Sequence, residues 1–222
     1  MNATGRNDDR RNAGVEPHPR DVPTGYPRDY ERRLHLRDGR LVVIRPMLPV
    51  DAPLLGTAIR TADRDTLRRR FLGGPPSVTP TLLTHLTTLD YVRRFALVAA
   101  DPETGQGVAI ARYEPLDQGV AEVAVVVDPA WRWVGLATAL VEMLARAALD
   151  RGIHTFSAAY LAENRPVAAL RALADGPGRQ RIRQGIAEFA VALNRAQVTA
   201  AIRDLDEREN ALAELATVEG RR

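Results

Sequence analysis

The sequence predicts a mixed α/β fold in which helices flank a mostly antiparallel sheet that contains one parallel pair of strands. The run of apolar, mostly β-branched residues at positions 123–127 is typical of a strand covered on both faces. An apolar pattern at helical spacing follows from Leu136 to Ala147, and a further strand is expected at residues 154–160. A strand, a helix and a strand in succession predict a parallel pair with a right-handed crossover.

One hairpin and three short helices are predicted before this segment. Residues 33–46 alternate around an Asp-Gly turn signal, which indicates a β-hairpin. Asp51 is expected to cap the first helix, with a proline in its first turn. Further short helices are expected at residues 65–71 and after Thr79.

Three strands in the middle of the chain are expected to form an antiparallel meander. They are short apolar segments at residues 95–100, 107–113 and 120–127, separated by glycine-containing turns. Residues 181–193 predict a final hairpin. Apolar residues recur at helical spacing over residues 194–218, so this helix is expected either to pack back on the sheet or to pair with another copy of the chain.

The 222 residues suffice for one domain with tails at both ends. Residues 1–32 are rich in polar residues, Pro and Gly, and we expect a disordered tail there because little burial could offset its ordering entropy. The folded domain is expected over residues 33–193, followed by an amphipathic C-terminal helix and tail over residues 194–222.

Composition excludes several classes of protein. The sequence has no cysteine, which rules out disulfides, zinc–thiolate sites and a cysteine nucleophile. It has no apolar run near the length of a membrane span and no secretory signal at its start, so we expect a cytoplasmic protein without a membrane partner. The four histidines lack metal-ligand spacing, so no metal is expected.

The charge pattern does not favour nucleic-acid binding. The formal net charge is +3 and the pI is about 9.8, and all 31 basic residues are arginine. The 28 acidic residues are interspersed with them, so no sustained basic block results.

The turn after the central strand has the character of an anion site. Small residues, Gly135 and Ala137, stand where the helix begins. A helix N-terminus offers unpaired N–H groups and the positive end of its dipole, and small residues let an anion approach them. The turn therefore predicts a cradle for a phosphate or pyrophosphate.

The pattern Arg132-x-x-Gly135-x-Ala137 resembles the acyl-CoA signature of the GNAT N-acetyltransferase superfamily, Gln/Arg-x-x-Gly-x-Gly/Ala. The stretches at residues 41–46, 65–73, 89–99 and 162–167 resemble its bacterial protein-acetyltransferase (Pat-like) branch. The resemblance covers roughly residues 33–175. It implies the GNAT fold, acetyl-CoA as co-substrate, and a parallel strand pair that splays apart around the pantetheine arm.

The resemblance also implies which residues hold the co-substrate. Trp133 and Val134 depart from the family, which usually carries Gly or a polar residue there; the cradle survives if they point outward and binding suffers if they crowd it. The expected contacts come from the backbone of Val125, Val126 and Val127 to the pantetheine arm, from the backbone of Arg132, Trp133, Val134, Gly135, Leu136 and Ala137 to the pyrophosphate, and from the side chains of Thr138 and Asn164.

Acetyl transfer to an amine needs a base for the amine proton and a donor to the developing oxyanion. Glu122 is the predicted general base, because it stands where the strand begins beside an apolar run, and because the matching glutamate of the Pat-like branch is implied to deprotonate lysine. Glu114 on the neighbouring strand is the alternative. The oxyanion donor is expected to be a backbone N–H near Val125.

These residues predict an acetyl-CoA-dependent N-acetyltransferase whose acceptor is an amine, either a protein lysine or a small molecule. The alternative is a non-catalytic acyl-CoA-binding or protein-interaction module with the same fold. Many family members protonate the leaving thiolate with a tyrosine, and residues 168–171 contain none. The C-terminal helix offers a surface for a homodimer.

Overall fold

The computed structural model describes residues 15, 19–72, 74, 76–161, 170 and 172–219, and the side chains of the last helix through residue 211. Asn164 therefore lies outside the described residues. The described strands are β1 Arg32–His35, β2 Leu41–Pro46, β3 Phe95–Ala100, β4 Gly107–Asp117, β5 Val120–Val127, β6 Thr155–Leu161, β7 Arg179–Arg183 and β8 Ile186–Ala192. The described α-helices are α1 Ala52–Thr61, α2 Arg64–Phe71, α3 Pro80–Thr87, α4 Leu136–Asp150 and α5 Arg195–Glu219.

The eight strands form one sheet in the order β1-β2-β3-β4-β5-β6-β8-β7. Every neighbouring pair is antiparallel except β5 and β6, which are parallel. One face of the sheet packs against α4 and α5, and the other packs against α1 and α3. The predicted fold class is confirmed.

The parallel pair separates partway along its length. Its register ends at Glu122 opposite Ser157, although β5 continues to Val127 and β6 to Leu161. A wedge-shaped gap therefore opens between the two strands beyond Glu122, as the resemblance implied.

The segment before β1 differs from the predicted disordered tail. The rings of Tyr26 and Tyr30 are buried, at 8% and 5% exposure. They contact the rings of Tyr91 and Phe95 edge-on, with centroids 5.6 and 5.1 Å apart. Residues 19–32 thus belong to the folded domain, because these two tyrosines supply the aromatic burial that their polar surroundings concealed.

Asp51 precedes α1 as predicted, but its carboxylate does not cap that helix. It accepts bonds from both terminal nitrogens of Arg45, at 2.7 and 2.8 Å, and from the Leu48 N–H at 2.8 Å. Arg45 and Asp51 are both buried, so the charge pair uses the carboxylate that a cap would have needed.

Helix α5 packs back on its own chain. Its side chains Val198, Ile202 and Leu205 are buried in the core on the α4 face. Asp206 also forms an ion pair with Arg32 of β1 at 3.0 Å. The described apolar face of α5 is thus covered within the chain. None of the described helices is both long and apolar enough to span a bilayer.

Candidate active site

The backbone of β5 presents alternate residues to the gap. The Asp128 N–H donates to the Val108 carbonyl at 2.8 Å, which fixes that pair as hydrogen-bonded in the antiparallel ladder with β4. Because such bonding alternates, Val126 turns its N–H and C=O to β4, whereas Val125 and Val127 turn theirs to the gap. The predicted donor near Val125 thus lies on the gap edge, and the predicted backbone contact from Val126 does not.

The side chain of Trp133 does not cover the turn between β5 and α4, although the Arg132 N–H, one of the predicted pyrophosphate donors, already donates to the Pro129 carbonyl at 3.4 Å. Asp128 accepts the Ala130 N–H at 2.9 Å and holds a short 3-10 turn over Pro129–Trp131. Trp133 adopts a φ of +68° and its side chain is 96% exposed, so the indole lies in solvent and does not fill the turn. Val134 instead packs against the core.

Gly135 supplies the backbone conformation with which α4 begins. Its φ is +93°, in the left-handed region that disfavours residues with a Cβ. The first helical bond runs from Ala139 to the Gly135 carbonyl at 3.1 Å, so the N–H groups of Leu136, Ala137 and Thr138 precede the intrahelical ladder. These donors, beside the gap edge of β5, fit a pyrophosphate followed by a pantetheine arm.

Arg132 fastens this turn to α2. Its Nε donates to the Val127 carbonyl at 3.1 Å, and its Nη2 donates to the Thr66 hydroxyl at 2.8 Å. That hydroxyl in turn donates to the Asp63 carboxylate at 2.5 Å, which also accepts the Thr66 N–H at 2.9 Å as the cap of α2. The bonds from Thr66 hold the pKa of Asp63 below its usual range.

The β1–β2 hairpin braces the same turn from its other side. Arg40 donates to the Ala130 carbonyl at 3.0 Å, and its guanidinium lies 4.0 Å from the centre of the Trp131 ring. The Arg37 N–H donates to the Val134 carbonyl at 3.1 Å, and its stem lies against Gly135. Neither arginine could be predicted from the sequence, because no local pattern connects residues some ninety positions apart.

Glu122 stands at the mouth of the gap on the face turned towards α2. Its strand neighbours Ala121 and Val123 point into the core on the α4 side, so Glu122 points to the other side. Its side chain is exposed, which differs from the predicted setting beside an apolar wall. Within the described residues it forms no hydrogen bond or ion pair at contact distance.

Glu114, the alternative base, lies directly opposite Glu122 in the ladder but is already occupied. Its carboxylate bonds to the buried guanidinium of Arg112 and lies 3.4 Å from His85 Nε2 and 3.7 Å from Arg94 Nε. Three basic side chains thus surround the Glu114 carboxylate, which leaves Glu122 as the carboxylate available to an acceptor.

Across the part of the chain that the structure describes, no group of three or more His, Cys, Asp or Glu side chains could hold a metal ion. The co-substrate site described above is built from backbone donors and from the side chains that position them.

Comparison with known proteins gives the family. A model of the Acetyltransferase (GNAT) family matches residues 65–172. Acetyltransferase PA5475 of Pseudomonas aeruginosa is 32% identical over 133 residues, which span 59% of this chain and 72% of that protein.

Solved structures show the same fold. The GNAT domain of S. lividans PAT superposes with a TM-score of 0.66 at 28% identity, over 76% of this chain and 99% of that chain. The cAMP-binding acyltransferase from Mycobacterium smegmatis superposes with a TM-score of 0.52 at 21% identity, and this chain spans 55% of its length. Sequence, fold and site geometry agree, and the chain belongs to the GNAT acetyltransferase family, whose N-acetyltransferases use acetyl-CoA.

Proposed function

We propose that this chain acetylates the side-chain amine of a protein lysine and that Glu122 is the general base. The observation that carries the proposal is the position of Glu122. It forms the last pair of the parallel register, so its exposed carboxylate borders the point at which β5 and β6 separate. The likeness to the GNAT domain of S. lividans PAT supports a protein acceptor.

The backbone around the gap would hold the co-substrate. The N–H and C=O groups of Val125 and Val127 face the gap, although the Val127 carbonyl already accepts a bond from Arg132. Amide groups of a pantetheine arm can pair with such an edge as an added strand does. The N–H groups of Leu136, Ala137 and Thr138 would receive the pyrophosphate, and Asn164 is proposed to contact the arm from outside the described residues.

Glu122 and Val125 would carry out separate steps of the acetyl transfer. Glu122 takes the proton that an ammonium must lose before its nitrogen can attack. The Val125 N–H donates to the acyl oxygen as negative charge develops on it. Acetyl-CoA supplies the acetyl group, whose C–S bond breaks as the N–C bond forms, and the departing thiolate takes a proton from water.

The experiment compares Glu122→Gln with the matched surface variant Glu103→Gln. We expect E122Q to lower kcat for lysine-containing acceptors by about a hundredfold or more, since a positioned base contributes that much. Calorimetric affinity for acetyl-CoA should stay unchanged in both variants, and E103Q should retain kcat.

Three results would contradict the proposal in different ways. An unchanged kcat in E122Q would show that Glu122 is not the general base. Saturable acetyl-CoA binding with transfer only to small amines would exclude a protein lysine as the acceptor. A failure of the wild-type chain to bind acetyl-CoA would favour the non-catalytic interaction module.

A further inference from the structure

The face of β4 and β5 beside the gap carries more positive than negative charge. It is bordered by α2 and α3, and its ionisable side chains lie close enough to interact. The basic members are Arg70, His85, Arg94 and Arg112, and the acidic members are Glu114 and Glu122.

Most of this charge is fixed in place by the protein. Arg112 is buried, and its guanidinium donates to both the Glu114 carboxylate and the Leu86 carbonyl, the latter at 3.4 Å. Arg94 donates to the carbonyls of His85 and Thr88, the latter at 3.2 Å. Its Nε is buried, has no hydrogen-bond partner among the described residues and lies 3.7 Å from Glu114. One carboxylate therefore serves two guanidinium groups.

Arg70 adds a third guanidinium to this face, within electrostatic range of Glu122. It projects from the last turn of α2, which packs against β5 and β6, and its guanidinium lies 5.1 Å from the centre of the Phe71 ring. Burial lowers the pKa of Arg70, and the nearby carboxylates of Glu122 and Glu114 oppose that shift. Neither carboxylate forms an ion pair with it at contact distance within the described residues.

Without His85, three guanidinium groups against two carboxylates on this face leave one positive charge in excess. A partly buried cation in such a setting is unfavourable unless an anion compensates it. An acceptor whose only charge is its ammonium would add to this positive excess. An acceptor that carries an anionic group beside its ammonium would offset the excess. A guanidinium also binds carboxylate and phosphoryl oxygens in pairs of bonds.

We infer that the acceptor is an amine flanked by a carboxylate or phosphoryl group, and that Arg70 binds this anion while the amine lies at Glu122. The inference rests on the proposed function, since it assumes that the acceptor amine reaches Glu122. Arg70 is thus a specificity residue, and the acceptor class is a lysine within an acidic segment of a protein.

The test uses three blocked peptides that differ only in the two residues beside a central lysine. These residues are aspartate in the first, phosphoserine in the second and asparagine in the third. With the full chain and acetyl-CoA, we expect kcat/KM for an anionic peptide to exceed that for the asparagine peptide about tenfold or more, as a charged hydrogen bond would provide. The aspartate and phosphoserine peptides identify which anion is preferred.

Substitutions in α2 test whether Arg70 causes the preference for anionic peptides. Arg70→Gln should reduce the preference to about twofold or less, mainly through a higher KM for the anionic peptides. Arg70→Lys should restore part of the preference. Arg69→Gln, whose partner Asp65 lies on the exposed side of the same helix, should retain all of it. Thermal denaturation of each variant checks that α2 stays folded.

Two outcomes would overturn the inference and leave the proposed function standing. They are equal kcat/KM for all three peptides in the wild type, and an unchanged preference in folded R70Q. A wild-type chain that binds acetyl-CoA but acetylates none of the peptides, nor any lysine-containing protein, would overturn the proposed function and this inference with it.

Discussion

The guanidinium of Arg132 donates to the hydroxyl of Thr66 at 2.8 Å and joins two sites that lie 66 residues apart. Arg132 belongs to the turn proposed to hold the pyrophosphate. Thr66 lies in the first turn of α2, whose other end carries Arg70, within electrostatic range of Glu122. The contact between Arg132 and Thr66 therefore links the co-substrate turn to the helix that borders the acceptor face.

Replacing Thr66 by valine should loosen this connection. Thr66 is 8% exposed, so the substitution leaves Nη2 of Arg132 without its acceptor and should cost about 1–2 kcal/mol in the free energy of unfolding. Calorimetry should also show weaker binding of acetyl-CoA, because the turn loses its brace. Thr57→Val is the control, since that exposed hydroxyl bonds only to the Pro53 carbonyl of its own helix. Equal effects of both variants on acetyl-CoA binding would contradict the connecting role.

Local patterns predicted most of the sheet, and contacts distant in sequence set the rest. The apolar run of β5, the small residue Gly135 and the final hairpin are short-range signals, and the structure has them where they were expected. The burial of Tyr30 and the pairing of Asp51 with Arg45 depend on residues brought together by folding. No spacing in the sequence could reveal them.

The candidate site likewise combines features that local sequence patterns predict with features that depend on contacts distant in sequence. Glu122, Val125 and the turn before α4 were predicted from a motif whose geometry is local to one strand, one turn and one helix. The side chains that position them, such as Thr66, Arg40 and Arg70, come from other elements. The exposure of Glu122 differs from the prediction because the flanking apolar residues alternate to the opposite face of the sheet.

Gly135→Ala should separate backbone strain from co-substrate binding. Gly135 has a φ of +93°, and the nearest atoms to an added Cβ would be those of the Arg37 side chain, with Nε at 3.4 Å. The cost is therefore conformational, about 1–2 kcal/mol in unfolding. Gly152→Ala is a matched control at the other end of α4, with a φ of +76° and open space around it. Both variants should lose stability, but calorimetry should show weaker acetyl-CoA binding for G135A alone.

Glu114→Gln should destabilise the fold rather than remove a catalytic base. The Arg112 side chain is only 7% exposed, and without the carboxylate its charge is left uncompensated. We expect a loss of about 2–3 kcal/mol in chemical denaturation. The exposed pair of Asp65 and Arg69 gives the control, and Asp65→Asn should cost about 0.5 kcal/mol or less. A stable E114Q chain with abolished kcat would instead make Glu114 the base.

Glu142 should make the stability of the chain depend on pH. Its Oε2 is buried without a hydrogen-bond partner among the described residues. Burial raises the pKa of Glu142 above its usual value of 4.5; Arg208 of α5 and Arg37 of the hairpin oppose the rise, and Asp204 of α5 adds to it. Between pH 4.5 and the raised pKa the folded chain binds more protons than the unfolded chain, so stability falls as pH rises through that window.

Replacing the Glu142 carboxylate by an amide should therefore prevent this loss of stability. Glu142→Gln should raise Tm relative to wild type at neutral pH by about 2–4 °C, which corresponds to about 1 kcal/mol for a chain of this size. The difference should shrink as pH is lowered towards 4.5. Glu207→Gln on the exposed side of α5 should show no such trend. A Tm difference that stays constant from pH 4.5 to 7 would contradict the burial of an ionisable group at this position.

Leu205→Ala tests whether the apolar face of α5 serves the fold or an association between chains. Leu205 is 1% exposed and packs into the core on the α4 face of its own chain, so truncation should cost about 2–5 kcal/mol in unfolding. Because that face is already covered, sedimentation should give the same mass for the folded variant as for the wild type. A variant that keeps its unfolding free energy but shows half the wild-type mass would instead place Leu205 in a dimer interface, as the amphipathic pattern of residues 194–218 also allowed.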